Sequence, residues 1–124
     1  MTPTRRYQNV SASTASKERL LILLLHSAMA RMEQARISLQ NGDRAAAFVS
    51  LDKALSIVQN MQDTLDTNQA AIAGPLAQVY SFVVWRLLGA RARGDASLIS
   101  EAIRAFSPIV EAFDTAVRGL DARP

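Results

Sequence analysis

Four amphipathic stretches succeed one another along the chain, each with apolar residues recurring three and four apart and each closed by a short polar turn. They follow a polar, Ser/Thr-rich segment over residues 1–15, which reads as a flexible N-terminal arm. Ser16 is a good N-cap, since its hydroxyl can accept from an exposed amide, and Glu18 suits the positive end of the helix dipole. A first helix is therefore predicted from Ser16 to about Gln40, stopping where Gly42 of Asn41-Gly42 can turn left-handed. Asp43 caps the second helix. Phe48, Leu51, Leu55, Val58 and Leu65 form one stripe on it, and Ala47, Ala54, Ile57 and Met61 a neighbouring one, until Asp66-Thr67-Asn68 closes it.

The third helix is predicted from about Gln69 to Arg93, with Pro75 compatible with a first turn, where its missing N–H is harmless. Leu76, Val79, Val83 and Leu87 form its core-facing set, Tyr80, Val84 and Leu88 a second set, and Phe82 and Trp85 point elsewhere. Gly94-Asp95 supplies the next stop and cap, and Leu98, Ile99, Ala102, Ile103 and Phe106 open the fourth stripe. Pro108 removes a donor and crowds the carbonyl of Arg104, which predicts a kink or break near Ser107 before Ile109, Val110, Phe113, Val117 and Leu120. Residues 121–124 are expected to fray.

Short connections make sequential helices antiparallel neighbours, so the fold class is all-α: an up-down-up-down four-helix bundle over residues 16–120. The second and third helices are apolar over more of their circumference than a bundle seam requires, which suits a partner-binding surface.

Composition supports this. At 124 residues, with 49% hydrophobic and 20% charged residues, the chain can bury one core without staples. It has no cysteine, which excludes disulfides and thiolate metal sites and favours the cytoplasm. The run Leu20–Leu25 is too short to span a bilayer, which needs about 20 apolar residues, and nothing before it resembles a signal peptide. The net charge of +3 is spread evenly: up to Ala70 there are eight basic and six acidic side chains, and after it six and five. No basic arm exists, so nucleic-acid binding is not expected.

Candidate chemistry is sparse. His26, the sole histidine, could serve a phosphotransfer bundle, but it follows six apolar residues and lacks a nearby Lys or Gly, so it reads as a partly buried helix histidine. The glutamates Glu18, Glu33, Glu101 and Glu111 are never followed by His at the spacing of a carboxylate metal centre, and no phosphate loop or nucleophile elbow occurs. The hydroxyls have no base to activate them. No metal, cofactor or enzymatic activity is expected. Besides a partner-binding protein, the sequence leaves open a phosphotransfer bundle using His26 and a homo-oligomeric bundle that buries its own surplus stripe.

Tyr7 in a polar segment is followed by Thr14-Ala15-Ser16 and then Leu20-Leu21. Further on come Met61, Leu65-Asp66, Ile72-Ala73, Leu76, Val79-Tyr80, Phe82, Leu87, Ala90 and the turn Gly94-Asp95. In this order and spacing, over about residues 7–106, the chain resembles the flagellar export chaperones of the FliS family. It departs from the family's pattern at Lys17, at Leu25-His26-Ser27 and at Arg91, and the family's late tryptophan is not recognisable near Phe113.

The resemblance implies a cytoplasmic helical bundle that binds the disordered C-terminal segment of flagellin, prevents premature polymerisation and assists delivery to the flagellar type III export apparatus. It implies export-gate components as further partners, leaves monomer or dimer open for the empty state, and makes Tyr7 a cap over part of the binding surface. A segment that folds on binding needs a long apolar surface to lie against. Ile57, Met61, Leu65, Tyr80, Val84, Leu87 and Leu88 are the candidate partner-binding residues, the flexible thioether of Met61 suiting such a surface.

Overall fold

The computed structural model describes the backbone of residues 3–65 and 73–121 and the side chains of residues 17–65 and 73–119. Four helices follow in chain order: α1 (Pro3–Gln40), α2 (Arg44–Thr64), α3 (Ala73–Arg93) and α4 (Ala96–Asp121). α1 packs on α2 and α4, and α3 packs on the same two, while among the described residues α1 does not meet α3 nor α2 meet α4. The helices thus occupy the corners of a square in chain order. Asp52 with Arg91 and Gln62 with Ser81 fix α2 and α3 antiparallel. Arg86 with Glu101, and Gly89 beneath Leu98, do the same for α3 and α4.

The core follows the alternating three-and-four spacing of helices that pack nearly parallel. α1 contributes Leu25, Ala28, Met32 and Ala35; α2 Leu51, Ala54, Leu55, Val58 and Met61; α3 Leu76, Tyr80, Val83, Leu87 and Ala90; α4 Ile99, Ala102, Phe106 and Val110. Alanines let the helices approach, and Phe106, Leu25, Met32 and Leu51 fill the space between them. On α3 Leu76, Val83 and Leu87 face the core as expected, but Tyr80 rather than Val79 completes the stripe, and Val79 borders it.

The turn between α1 and α2 leaves no residue idle. Gly42 is left-handed (φ 79°), its amide donates to the Leu39 carbonyl at 3.1 Å and the Asp43 amide to the Ser38 carbonyl at 2.8 Å, satisfying two carbonyls of the last turn of α1. The Asp43 carboxylate then accepts from the Ala46 amide at 3.1 Å and caps α2, as its sequence position predicted. Gly94 (φ 66°) and Asp95 repeat the device between α3 and α4, where Asp95 accepts from the Ser97 amide at 2.9 Å and from its hydroxyl. The Arg44 guanidinium lies against Gly94, so the two turns meet at one end of the bundle.

Two expectations change. α1 starts at Pro3 rather than Ser16; Pro3 fits a first turn, and neither glycine nor proline recurs before Gly42 to stop the helix. α4 runs through Pro108 without the break expected near Ser107. Pro108 and Arg104 are exposed, so the carbonyl that loses its donor faces solvent, while the buried Phe106 and Val110 hold the helix on both sides. The expected closing turn Asp66-Thr67-Asn68, the start of the third helix at Gln69, and residues 122–124 of the tail lie outside the described residues.

α2 and α3 are also tied by Asp52, which accepts from Arg91 Nε at 2.8 Å and Nη2 at 3.3 Å. The hydrogen bond from Arg91, more than its charge, holds the Asp52 carboxyl below its ordinary 3.8. Because the folded value is depressed, the pair's small stabilising contribution is present above 3.8 and is lost as pH falls through the folded value.

Three outcomes are expected. Asp43→Ala lowers stability by about 1 kcal/mol in urea denaturation. Pro108→Ala raises it by about 1–3 kcal/mol by restoring a donor in the helix interior. In an NMR titration, Arg91→Gln returns the Asp52 carboxyl toward 3.8.

Candidate functional site

The core stripe of α3 decides what that helix shows to solvent. With Tyr80, Val83, Leu87 and Ala90 turned inward, Phe82, Trp85 and Leu88 are left outside, 39%, 72% and 41% exposed. Trp85 stands farthest from the seams. Phe82 leans toward α4 and carries the Arg86 guanidinium 5.0 Å above its ring. Leu88 leans toward α2, on the same side as Arg91, whose guanidinium lies 4.7 Å over the Phe48 ring.

Two grooves flank this ridge. One, between α3 and α4, is lined by Trp85, Leu88, Gly89, Ala92, Arg93 and Leu98, with Arg86 at its edge. The other, between α2 and α3, is lined by Leu55, Leu88 and polar side chains, including Asp52, Gln59, Asp63 and Arg91. Leu88 belongs to both, so the outer face of α3 is a continuous apolar ridge with a shallow trough on either side. Such a surface can take amphipathic helices of a partner.

The seven partner-binding candidates fall into three groups. Met61, Tyr80 and Leu87 are buried and support the bundle; burial pushes the Tyr80 phenol up from its ordinary value. Ile57, Leu65 and Val84 are half-buried and packed against the core. Leu88 alone of the seven is exposed. They are brought together along the α2–α3 side, but mostly beneath the surface, because a periodicity wider than one stripe includes flanking core positions. The side chain of Tyr7 lies outside the described residues.

Phe82 and Trp85, which the periodicity places off both apolar sets of α3, are the largest exposed aromatic groups of the described residues. The available signal was the phase of α3: taking 76, 80, 83, 87 and 90 as the core places residue 85 opposite it. Leu20 and Leu23 are also exposed, on α1, which does not touch α3.

The surface electrostatics is set by arginines held in place. Arg86 Nε lies 3.2 Å from Glu101 Oε2, but neither enclosed atom gains a hydrogen bond, so the pair is an ion contact of poor alignment. Arg93 is exposed beside Asp95, whose carboxylate is committed to Ser97 and held below its ordinary value by those bonds first and by Arg93 last.

His26 is exposed rather than partly buried: its Nε2 meets both carboxylate oxygens of Asp114 at 2.8 and 2.9 Å, tying α1 to α4. A carboxylate against that nitrogen repels an incoming phosphoryl group, which disfavours phosphotransfer. Among the described residues no cluster of His, Asp and Glu has the geometry to hold a metal ion, and no helix is long and apolar enough to cross a membrane.

Residues 1–119 match the family model described as Flagellar protein FliS. The flagellar secretion chaperone FliS of Salmonella typhimurium is 33% identical over 115 residues, covering 88% of this chain and 85% of that protein. FliSB of Pseudomonas aeruginosa, also named a flagellar secretion chaperone, is 29% identical over 106 residues, covering 82% and 84%. FliS of Bacillus subtilis, with the same description, is 25% identical over 99 residues, covering 80% and 74%. The order of motifs from Tyr7 to Gly94-Asp95, the four antiparallel helices and these matches agree: the chain belongs to the FliS family of flagellar proteins.

Proposed function

We propose that this chain is a cytoplasmic secretion chaperone that binds the disordered C-terminal segment of flagellin, keeps it from polymerising early and assists its delivery to the flagellar type III export apparatus. The observation that carries the reading is the apolar ridge Phe82, Trp85, Leu88 on a chain of this family. A bundle whose core is already filled gains nothing internally from an exposed tryptophan, whereas a guest that folds on binding gains an anchor.

The partner face is then the outer side of α3 with its two grooves. Leu88 keeps the role expected from the sequence, Val84, Ile57 and Leu65 contribute their exposed edges, and Tyr80, Met61 and Leu87 act from below by holding α3 in phase. For Tyr7 to cap the empty surface the first turns of α1 must unwind and cross to α3, which α1, among the described residues, does not meet as a helix, and export-gate components engage the loaded chaperone. No step requires bond chemistry: the work is binding energy spent on masking a segment until export.

Trp85 is the only tryptophan, so it reports its own burial. Titration with a peptide of the flagellin C-terminal segment is expected to shift its emission to the blue and to add helix in circular dichroism. Trp85→Ala is expected to leave stability within about 0.5 kcal/mol, since the ring is mostly in solvent, and to weaken calorimetric binding by about tenfold or more. Absence of binding by the wild-type chain at high micromolar peptide would end the reading.

A further inference from the structure

Gly89 sits inside α3, where glycine is the poorest helix former after proline. No left-handed φ requires it, since the positive-φ glycines are Gly42 and Gly94. What it provides is space. A Cβ at this position would stand 3.2 Å from Leu98 Cδ1, closer than ordinary van der Waals contact. Gly89 therefore lets Leu98 of α4 approach α3, and with Ala92 it forms a floor from which no large side chain rises.

The walls are Trp85 and Leu88 on one side and Leu98 on the other, enclosing a groove of about 290 Å³ that opens to solvent. Its charged rim is basic. Arg86 and Arg93 line it, and the nearby carboxylates are engaged, Glu101 with Arg86 and Asp95 with Ser97. Among the described residues Arg93 forms no hydrogen bond and acts on Asp95 only through its charge, so its donors can meet a carboxylate that arrives from outside.

We propose that this groove is a knob socket: it receives one large apolar side chain from an amphipathic helix of the flagellin segment, next to an acidic residue of that helix that pairs with Arg93. The proposal rests on the chaperone reading and adds which side chain chemistry that site selects. Apolar size is read by the absence of atoms at Gly89 and Ala92, and orientation by the position of Arg93 at one end of the groove. A guest with a small residue at the anchor leaves the socket empty, and one with a basic neighbour meets like charge.

The test fills the socket from two directions. Ala92→Leu adds bulk at an exposed position of the groove lining, and Gly89→Ala adds a methyl group to the floor and crowds Leu98. Calorimetry of each folded full-length variant with the flagellin C-terminal peptide is expected to show affinity reduced about tenfold or more, with the melting temperature of Ala92→Leu unchanged. Arg93→Gln is expected to lose severalfold in affinity and much of the salt dependence of binding. Peptides in which each large apolar residue is cut to alanine in turn should reveal one position whose truncation weakens the wild type but weakens Ala92→Leu no further.

If the wild type binds and both Ala92→Leu and Gly89→Ala bind within twofold of it, the socket is refuted while the chaperone reading stands. If Gly89→Ala alone loses affinity and also melts early, glycine serves only the approach of α3 to α4, and the socket is again refuted. If the wild type does not bind, the chaperone reading fails and takes the occupant with it.

Discussion

The rest of the structure depends on the alternating three-and-four spacing of the core positions, repeated on each helix and matched around a closed ring of four seams. A helix at the corner of a square has two neighbours and can turn only one arc of its surface inward. For α3 that arc is occupied by Leu76, Tyr80, Val83, Leu87 and Ala90. Val79 and Val84 reach the core only at its border, and an apolar residue on the opposite arc of α3 must stay outside, however hydrophobic it is. Fully burying a side chain of this kind is worth roughly 1.5–3 kcal/mol, so the outer face of α3 holds back burial that folding cannot realise and that only another chain can.

The charged groups around that face do not compete with it. Arg86 is held over Phe82 and beside Glu101, and Arg91 over Phe48 and on Asp52, so each guanidinium covers an aromatic ring while an acidic side chain anchors it. The cations become a fixed rim rather than a mobile cloud, and the tryptophan between them is left bare. The ion pairs themselves are surface pairs of small worth. Their effect is to fix side chains that would otherwise sweep across the ridge.

The helix count, the capping roles of Asp43 and Asp95 and the left-handed stops at Gly42 and Gly94 were legible because each depends on residues a few positions apart. The start of α1 was not, because Ser16 looks like a cap, yet nothing between Pro3 and Gly42 obliges the helix to begin there. Pro108 was misread for the opposite reason: its local penalty is real, but Phe106 and Val110 on either side are fixed by distant helices. On α3 Leu76, Val83 and Leu87 were legible as core, and Tyr80 takes the place expected of Val79; the width of the apolar periodicity, which takes in flanking core positions, hid which of its side chains reach the surface.

The turn between α1 and α2 has a consequence for how this chain can change. Asp43 is both the residue that closes α1 and the residue that opens α2, so no spacer separates the two periodicities. One added residue there would break either the bonds by which Gly42 and Asp43 close α1 or the bond from the Ala46 amide to Asp43 that opens α2. A longer connection at residues 41–43 would therefore have to supply a new stop for α1 and a new cap for α2, where a substitution need preserve only one of them.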